Sequence, residues 1–245
     1  MEFTKENVEK CWEILNKSQN VIEKKQADTF LTNFQKSSNC FEICNELFKS
    51  NDINSKIASA FILYQIIRGR VQELSTSKDE FAKLKKMFFE NILPNLSNLP
   101  ELVVQRMCYS VSILILGGIL TYWQDCIEDI LKYSTESEIK LYYAILILSN
   151  LNFEYSFIVV NQIFGYKLKD VLIDKKDSIK NFICSVFENA DNIQDRNLKS
   201  KILDKVIEIV KEIAPEMNYK EVKISLNVTA HAGPGTVGLG IAKKI

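Results

Sequence analysis

The sequence predicts an all-α protein, a HEAT-like helical-repeat solenoid (an α-α superhelix), followed by a short non-helical tail. Apolar residues recur at three- and four-residue steps through most of the chain, which is the period of an amphipathic helix. Residues that interrupt helices are sparse at first: three prolines and four glycines precede residue 216, whereas the last thirteen residues hold Pro234 and the other four glycines. The helical array is therefore expected over 1–214 and the tail over 215–245.

Consecutive helices are predicted in this order, separated by residues that favour turns. The spans are 4–17, 20–36, 39–49, 54–73, 79–95, 100–120, 122–134, 137–151, 155–164, 167–174, 177–190 and 196–214. The breaks fall at Ser50-Asn51-Asp52, at Ser75-Thr76-Ser77, from Pro94 to Pro100, and at Asp191-Asn192. In the last helix, Leu198, Ile202 and Val206 belong to an apolar stripe that is expected to face the core.

The lengths of these helices favour stacked pairs. Helices joined by short polar links, with about 40 residues per pair, are typical of antiparallel hairpins stacked in series. One hairpin cannot bury its apolar face alone, so neighbouring pairs must stack, and a curved solenoid results. The sequence contains no strict internal repeat, which is usual in degenerate HEAT-type arrays. A compact irregular helical bundle is the alternative.

Charge and hydropathy exclude some classes of partner. The 31 Lys and Arg residues balance 31 Asp and Glu residues, so there is no positive excess of the kind that nucleic-acid binding needs. The N-terminal residues are charged and amphipathic, unlike a secretory signal. The uncharged run 108–124 is short for a membrane span, contains serines and glycines, and is closely flanked by charges. We interpret it as a buried core helix and expect no membrane insertion.

No catalytic or metal site is predicted. The only histidine, His231, stands in the tail, so no Ser-His-Asp triad is expected. The six cysteines lie in apolar helical patterns, where free buried thiols are expected. The glycine-rich end lacks the Gly-Lys-Ser/Thr ending of a phosphate-binding loop. Trp12 and Trp123 are expected to pack in the core. We therefore expect no enzyme activity, metal or cofactor.

Four strings in the helical region share a family pattern. Residues 27–49 read ADTFLTNFQKSSNCFEICNELFK, residues 57–68 read IASAFILYQIIR, residues 104–111 read VQRMCYSV, and residues 123–130 read WQDCIEDI. In this order the strings resemble the importin-β superfamily, especially its transportin-SR and importin-13 branch, over residues 1–190. Phe41 stands where the family usually has tryptophan.

The resemblance implies the N-terminal region of a nuclear transport receptor, or karyopherin, with an armadillo-type fold and a location in cytoplasm and nucleus. In that family the inner helices of the first repeats contact the small GTPase Ran in its GTP form. Contacts with protein cargo and nucleoporins are spread along a much longer superhelix. The inner helices are expected near 20–36, 54–70 and 100–120. Gln65, Arg68 and Gln105 are the candidate Ran contacts, although Arg68 and Arg70 could equally be solvated charges.

The tail carries a second resemblance. Alternating apolar residues through Val228 predict a strand. Residues 231–240, HAGPGTVGLG, resemble the C-terminal motif of the DegV family of bacterial fatty-acid-binding proteins. The motif histidine of that family lies beside the acyl carboxylate, so the resemblance implies lipid contacts at His231 and Gly233. An acyl-chain carrier is thus one alternative function, and a structural helical scaffold without Ran binding is another.

Overall fold

The computed structural model describes residues 2–158 and 162–213, and within these ranges it contains helices and no strand. The predicted all-α fold is therefore confirmed. The predicted strand through Val228, and the tail residues His231 and Gly233, lie outside the described residues.

The helices follow the predicted order. They are α1 (Lys5–Lys17), α2 (Val21–Phe34), α3 (Cys40–Lys49), α4 (Ile53–Leu74), α5 (Lys78–Lys86), α6 (Glu101–Gly118), α7 (Cys126–Ser134), α8 (Glu138–Ser149), α9 (Leu151–Ile158), α10 (Gln162–Asp174), α11 (Lys176–Glu188) and α12 (Arg196–Ile213). Between α5 and α6 lie a π-helical segment, Met87–Ile92, and a 3-10 turn, Leu93–Asn95.

Polar caps begin several of these helices, as the turn residues predict. The Asp52 carboxylate accepts hydrogen bonds from the amides of Asn54 and Ser55, at 3.2 and 3.3 Å, and so caps α4. The hydrogen bond from the Asn54 amide is the largest cause of the lowered pKa of Asp52. Asn20 and Ser137 cap α2 and α8 in the same way.

Several helix boundaries differ from the prediction; α10, for example, begins at Gln162 and not at residue 167. The span 79–95 is not one α-helix, because it widens into the π segment and then ends in the 3-10 turn, where Pro94 has no amide hydrogen to donate. Helix α7 begins at Cys126 because the preceding residues form a turn, in which the Trp123 amide donates to the Gly118 carbonyl at 2.9 Å. Helix α9 begins directly after α8, at Leu151.

Helices pack side by side in chain order. One series consists of α4, α6, α8 and α12, each packed against the next. Helices α3, α5 and α7 pack against α4, α6 and α8 respectively, and α11 packs against α7. This order of contacts is the one expected of stacked helix pairs. The HEAT-type repeat itself stays a prediction.

Helix α6 occupies the centre of the described structure. It packs against α4, α5, α7, α8 and α9. By length and composition it is the one described helix that could cross a membrane. Of this helix, Glu101–Gly118, 72% is buried by the rest of the chain. The uncharged run does form a buried helix in its first part, whereas the residues from 119 to 124 form the turn before α7.

Most of the predicted core residues are buried, whereas Trp12 and Cys184 are partly exposed. Trp123 is 3% exposed, and Trp12 is half-buried against the ring of Phe61 at 5.7 Å. All six cysteines are free; five are buried and Cys184 is partly exposed. The long apolar helices α4 and α6 therefore form the support on which the candidate site is built.

Candidate protein-binding face

The three predicted contact residues lie on the adjacent helices α4 and α6, but the structure does not bring all of them together. Gln65 is exposed, and its Oε1 accepts a hydrogen bond from Gln35 at the end of α2, at 3.0 Å. Arg68 and Gln105 are instead both near Phe153 of α9: the Arg68 guanidinium carbon lies 5.7 Å from the ring centroid of Phe153, and Gln105 lines the same pocket as Phe153. We call the surface formed by α4, α6 and α9 around Phe153 the α9 face.

The side chain of Arg68 already contacts other residues of this chain. Its Nε lies 3.1 Å from Oε2 of Glu154, a residue of α9 with a fully buried side chain. Its guanidinium carbon also lies 3.3 Å from the ring centroid of Phe157 and 5.7 Å from that of Phe153. Only 20% of the Arg68 side chain is exposed. Arg68 therefore joins α4 to α9, and its charge is already balanced before any partner arrives.

Glu154 is the centre of this contact. The Tyr64 hydroxyl and the Asn150 side-chain amide both donate hydrogen bonds to its Oε1. Burial, and then the hydrogen bond to Glu154, raise the pKa of Tyr64 to about 12. The Arg68 Nε and Glu154 Oε2 atoms are close but not aligned as a hydrogen bond, so the ion pair is held by charge and burial.

A pocket of about 300 Å³ opens beside this ion pair. Its lining residues come from α4, α6, the α8–α9 junction and α9: Tyr64, Leu102, Gln105, Arg106, Tyr109, Asn150 and Phe153. The Arg106 guanidinium carbon lies 4.8 Å from the ring centroid of Tyr64 and 5.0 Å from that of Phe61. The pocket thus combines one cation with aromatic and aliphatic walls.

Hydrogen bonds centred on Glu101 hold the side chain of Gln105. Its Nε2 donates to Glu101 Oε1 at 3.3 Å, and Glu101 also accepts hydrogen bonds from the Tyr142 hydroxyl and from Lys201 Nζ, the latter at 2.6 Å. Burial opposes the ionisation of Glu101, but the hydrogen bonds from Lys201 and Tyr142 outweigh it and lower the pKa of Glu101. This carboxylate therefore ties α6 to α8 and α12.

Large apolar side chains are exposed on the α9 face. Leu102 is 49% exposed, Phe153 is 61% exposed and Phe157 is 60% exposed. Clustered exposed apolar side chains mark protein interaction sites more often than scattered ones do. The two phenylalanines stand four residues apart and so lie on one side of α9.

Sequence reasoning missed the residues that shape this face: Arg106, Tyr109, Phe153 and Phe157. The sequence does hold a signal for part of this face. Gln105 and Arg106 follow Leu102 by three and four residues, and Tyr109 follows them by four and three, so these residues share one side of α6. Nothing local to α9 predicts that it packs on α4, since Glu154 and Tyr64 are ninety residues apart.

Metal-ligating side chains do not cluster in the part of the chain that the structure describes. Within it, no group of three or more His, Cys, Asp or Glu side chains is arranged to hold a metal ion. Burial raises the pKa of the Cys40, Cys44, Cys108 and Cys126 thiols, so these thiols are protonated near neutral pH.

Comparison with known proteins adds no relative: no protein-family model matches the chain, and no curated protein matches it. The importin-β and DegV resemblances thus depend on the strings quoted above, and both stay predictions.

Proposed function

We propose that this chain is a protein-binding helical scaffold of the nuclear transport receptor type. In this proposal, the series α4, α6, α8 and α12 binds the small GTPase Ran in its GTP form during nucleocytoplasmic protein transport. The supporting observation is that these four helices pack one against the next, so that a partner can contact several of them at once. Two of the four importin-β-like strings, residues 57–68 and 104–111, lie on α4 and α6 of this series.

The chemistry of the surface suits a folded protein partner. Stable protein interfaces commonly bury about 1,600 Å² in total, which requires contacts along several helices and not one pocket. Exposed Gln65 and partly exposed Gln105 offer hydrogen bonds, and Leu102 and Phe153 offer apolar area. Charged residues around such a surface set partner choice more than they set affinity.

Arg68 enters this proposal in a different role from Gln65 and Gln105. Its guanidinium is balanced by Glu154 and covered by Phe157, so a direct contact with Ran requires that α9 release it. We therefore assign the direct contacts to Gln65 and Gln105, and we assign to Arg68 the positioning of α9.

The test compares Ran loaded with a non-hydrolysable GTP analogue and Ran loaded with GDP, by isothermal titration calorimetry against the whole chain. We expect the GTP form to bind at least about tenfold more tightly, a difference of about 1.4 kcal/mol. The double variant Q65A/Q105A should weaken that binding about fivefold or more, since each lost hydrogen bond costs roughly 1 kcal/mol.

A matched control is available on α4. Gln72 is also exposed, and Q72A should leave binding unchanged. Equal binding of the GTP and GDP forms, or no binding of either, would contradict the Ran proposal and favour a structural helical scaffold without Ran contact.

The acyl-chain carrier is the second candidate, and the HAGPGTVGLG motif of the tail is the observation that favours it. Its test is native mass spectrometry of the purified chain. Fatty acid that co-purifies with the protein and is lost in His231→Ala would support this function. A lipid-free sample would count against it.

A further inference from the structure

Arg106 is a cation without a carboxylate partner among the described residues. The neighbouring arginines of α4 differ in this respect, because Arg68 pairs with Glu154 and Arg70 pairs with Glu73 and Glu80. The contacts of Arg106 are instead with the rings of Phe61 and Tyr64. Stacking between two rings restrains the guanidinium and leaves its hydrogen-bond donors for another molecule.

The pocket around Arg106 offers few other polar groups. The Asn150 amide and the Tyr64 hydroxyl both donate to Glu154. Tyr109 lines the pocket, and its hydroxyl forms no hydrogen bond with another described residue. The side-chain amide of Gln105, which also lines the pocket, already donates one hydrogen bond to Glu101. Arg106 and Tyr109 are therefore the lining groups whose side-chain donors form no hydrogen bond among the described residues, while the exposed Leu102 and Phe153 provide apolar contact.

We propose that this pocket binds the carboxylate of an Asp or Glu side chain that is followed by an apolar side chain in a segment of a partner protein. The Arg106 guanidinium can form paired hydrogen bonds with a carboxylate, which are stronger than hydrogen bonds between neutral groups. The adjacent apolar side chain would lie against Leu102 and Phe153. The pocket volume of about 300 Å³ is at the small end for ligand sites and fits side chains better than a large cofactor.

Charge also selects a carboxylate over a phosphate. One free guanidinium balances one negative charge, and a phosphate group carries roughly two at neutral pH. The second charge would be unbalanced here, because the cations close to the pocket are already paired: Arg68 with the buried carboxylate of Glu154, and Lys205, which lies near Tyr109, with Glu208. A monoanionic side chain is therefore the ligand that this pocket can neutralise.

This site goes beyond the proposed binding of Ran, and it is tested with peptides alone. The probes are two synthetic peptides, acetyl-Ser-Gly-Glu-Leu-Leu-Gly-Ser-amide and the same peptide with Gln in place of Glu. Blocked ends leave the glutamate as the single charge. Isothermal titration calorimetry on the whole chain should find one site, and the Glu peptide should bind at least about tenfold more tightly than the Gln peptide.

Two arginine variants give the decisive comparison. Arg106→Gln should bring the ratio of the two affinities to about one, since both peptides then meet a neutral pocket. Arg196→Gln removes the same charge from an exposed position at the start of α12 that does not line the pocket, so the ratio should stay as in the unchanged chain. Far-UV circular dichroism checks that both variants remain folded.

A third variant tests the apolar wall without touching the charge. Leu102→Ser, at a half-exposed position, should weaken both peptides several-fold and leave their affinity ratio unchanged. If Arg106→Gln fails to fold, the proposal is still tested by the affinities of the Glu and Gln peptides for the unchanged chain and for Leu102→Ser. No binding of either peptide, or equal binding of both to the unchanged chain, would overturn the proposal, whatever the result with Ran.

Discussion

At the scale of single residues, Gly118 approaches Phe81 more closely than Gly69 or Gly117 approaches any side chain. A Cβ atom placed on Gly118 would lie 2.3 Å from Cζ of Phe81. The Phe81 ring is buried and packs near the rings of Tyr122 and Trp123, so it has little room to move. The end of α6 can therefore approach α5 this closely only with glycine at position 118.

Gly118→Ala tests this contact. We expect it to lower the free energy of unfolding by about 1–3 kcal/mol, because an inserted methyl group forces a packed ring to shift. Gly69→Ala is the matched control, since nothing lies within 4 Å of a Cβ there. That exposed substitution within α4 should raise stability by roughly 0.5–1 kcal/mol through helix propensity. Urea unfolding followed by circular dichroism measures both, and equal effects would contradict the packing account.

The cysteines permit a second test at this scale. Burial raises the pKa of Cys11, Cys40, Cys44 and Cys108, and raises that of Cys126 to about 12. A raised pKa reduces the thiolate fraction at a given pH, and only the thiolate attacks a disulfide reagent. Cys184 alone is partly exposed.

In the native chain, an aromatic disulfide reagent at mildly alkaline pH should therefore modify Cys184 quickly and the other thiols slowly. Cys184→Ser should remove the fast phase, and guanidinium should make all the remaining thiols react at once. Mass spectrometry of the labelled peptides identifies the site. A fast phase that persists in Cys184→Ser would show that one of the buried thiols is accessible.

At the scale of helices, α9 depends on contacts with the rest of the fold. Its buried residue Glu154 receives hydrogen bonds from Tyr64 and Asn150 and lies beside Arg68. A buried carboxylate thus holds α9 on α4, which makes the α9 face a composite of three helices.

Glu154→Ala should weaken this attachment strongly. It leaves Arg68 without its counter-charge and leaves the two donors to Oε1 without an acceptor, and breaking a buried ion pair costs roughly 3–5 kcal/mol. We expect faster hydrogen exchange across 151–158 and a lower urea midpoint. Glu90→Ala, which removes an exposed carboxylate 3.8 Å from Lys86, should change stability by less than about 0.5 kcal/mol. Unchanged exchange in α9 would mean that Glu154 does not hold it.

At the scale of the whole molecule, Glu101 connects helices that are distant in the sequence. It lies at the start of α6, Tyr142 belongs to α8 and Lys201 belongs to α12. The pKa of Glu101 is lowered in the folded chain from its ordinary value of 4.5. A lowered carboxyl pKa means that the group contributes stability above pH 4.5, and that this stability is lost as the pH falls through the folded-state value.

Glu101→Gln should therefore reduce the loss of stability below pH 4.5 and lower stability at neutral pH. The Glu101 side chain is 37% exposed, so solvent screening limits the effect to about 1 kcal/mol or less. Thermal unfolding across an acid pH series measures it, with Glu90→Gln as the exposed control. A parallel pH profile for Glu101→Gln and the unchanged chain would contradict the role of this carboxylate.

Much of the secondary structure is determined by local sequence. Helical periodicity and capping act over three or four residues, so the apolar stripe of α12 and the Asp52 cap of α4 are readable without a structure. The π segment at Met87–Ile92 cannot be read from the sequence. Whether α or π hydrogen bonds form there depends on how its buried side chains pack. The side of α6 that carries Gln105 is also predictable from spacing.

Only the tertiary structure decided what the side chains of the α9 face do. The sequence by itself left Arg68 either a partner contact or a solvated charge. Packing pairs it with Glu154, and Arg106 is the pocket-lining arginine that has no carboxylate partner among the described residues. The physical reason is distance along the chain. Tyr64 and Glu154 are ninety residues apart, and no pattern within a few residues can specify which buried donor meets which buried carboxylate. Stacking of the intervening helices determines that pairing.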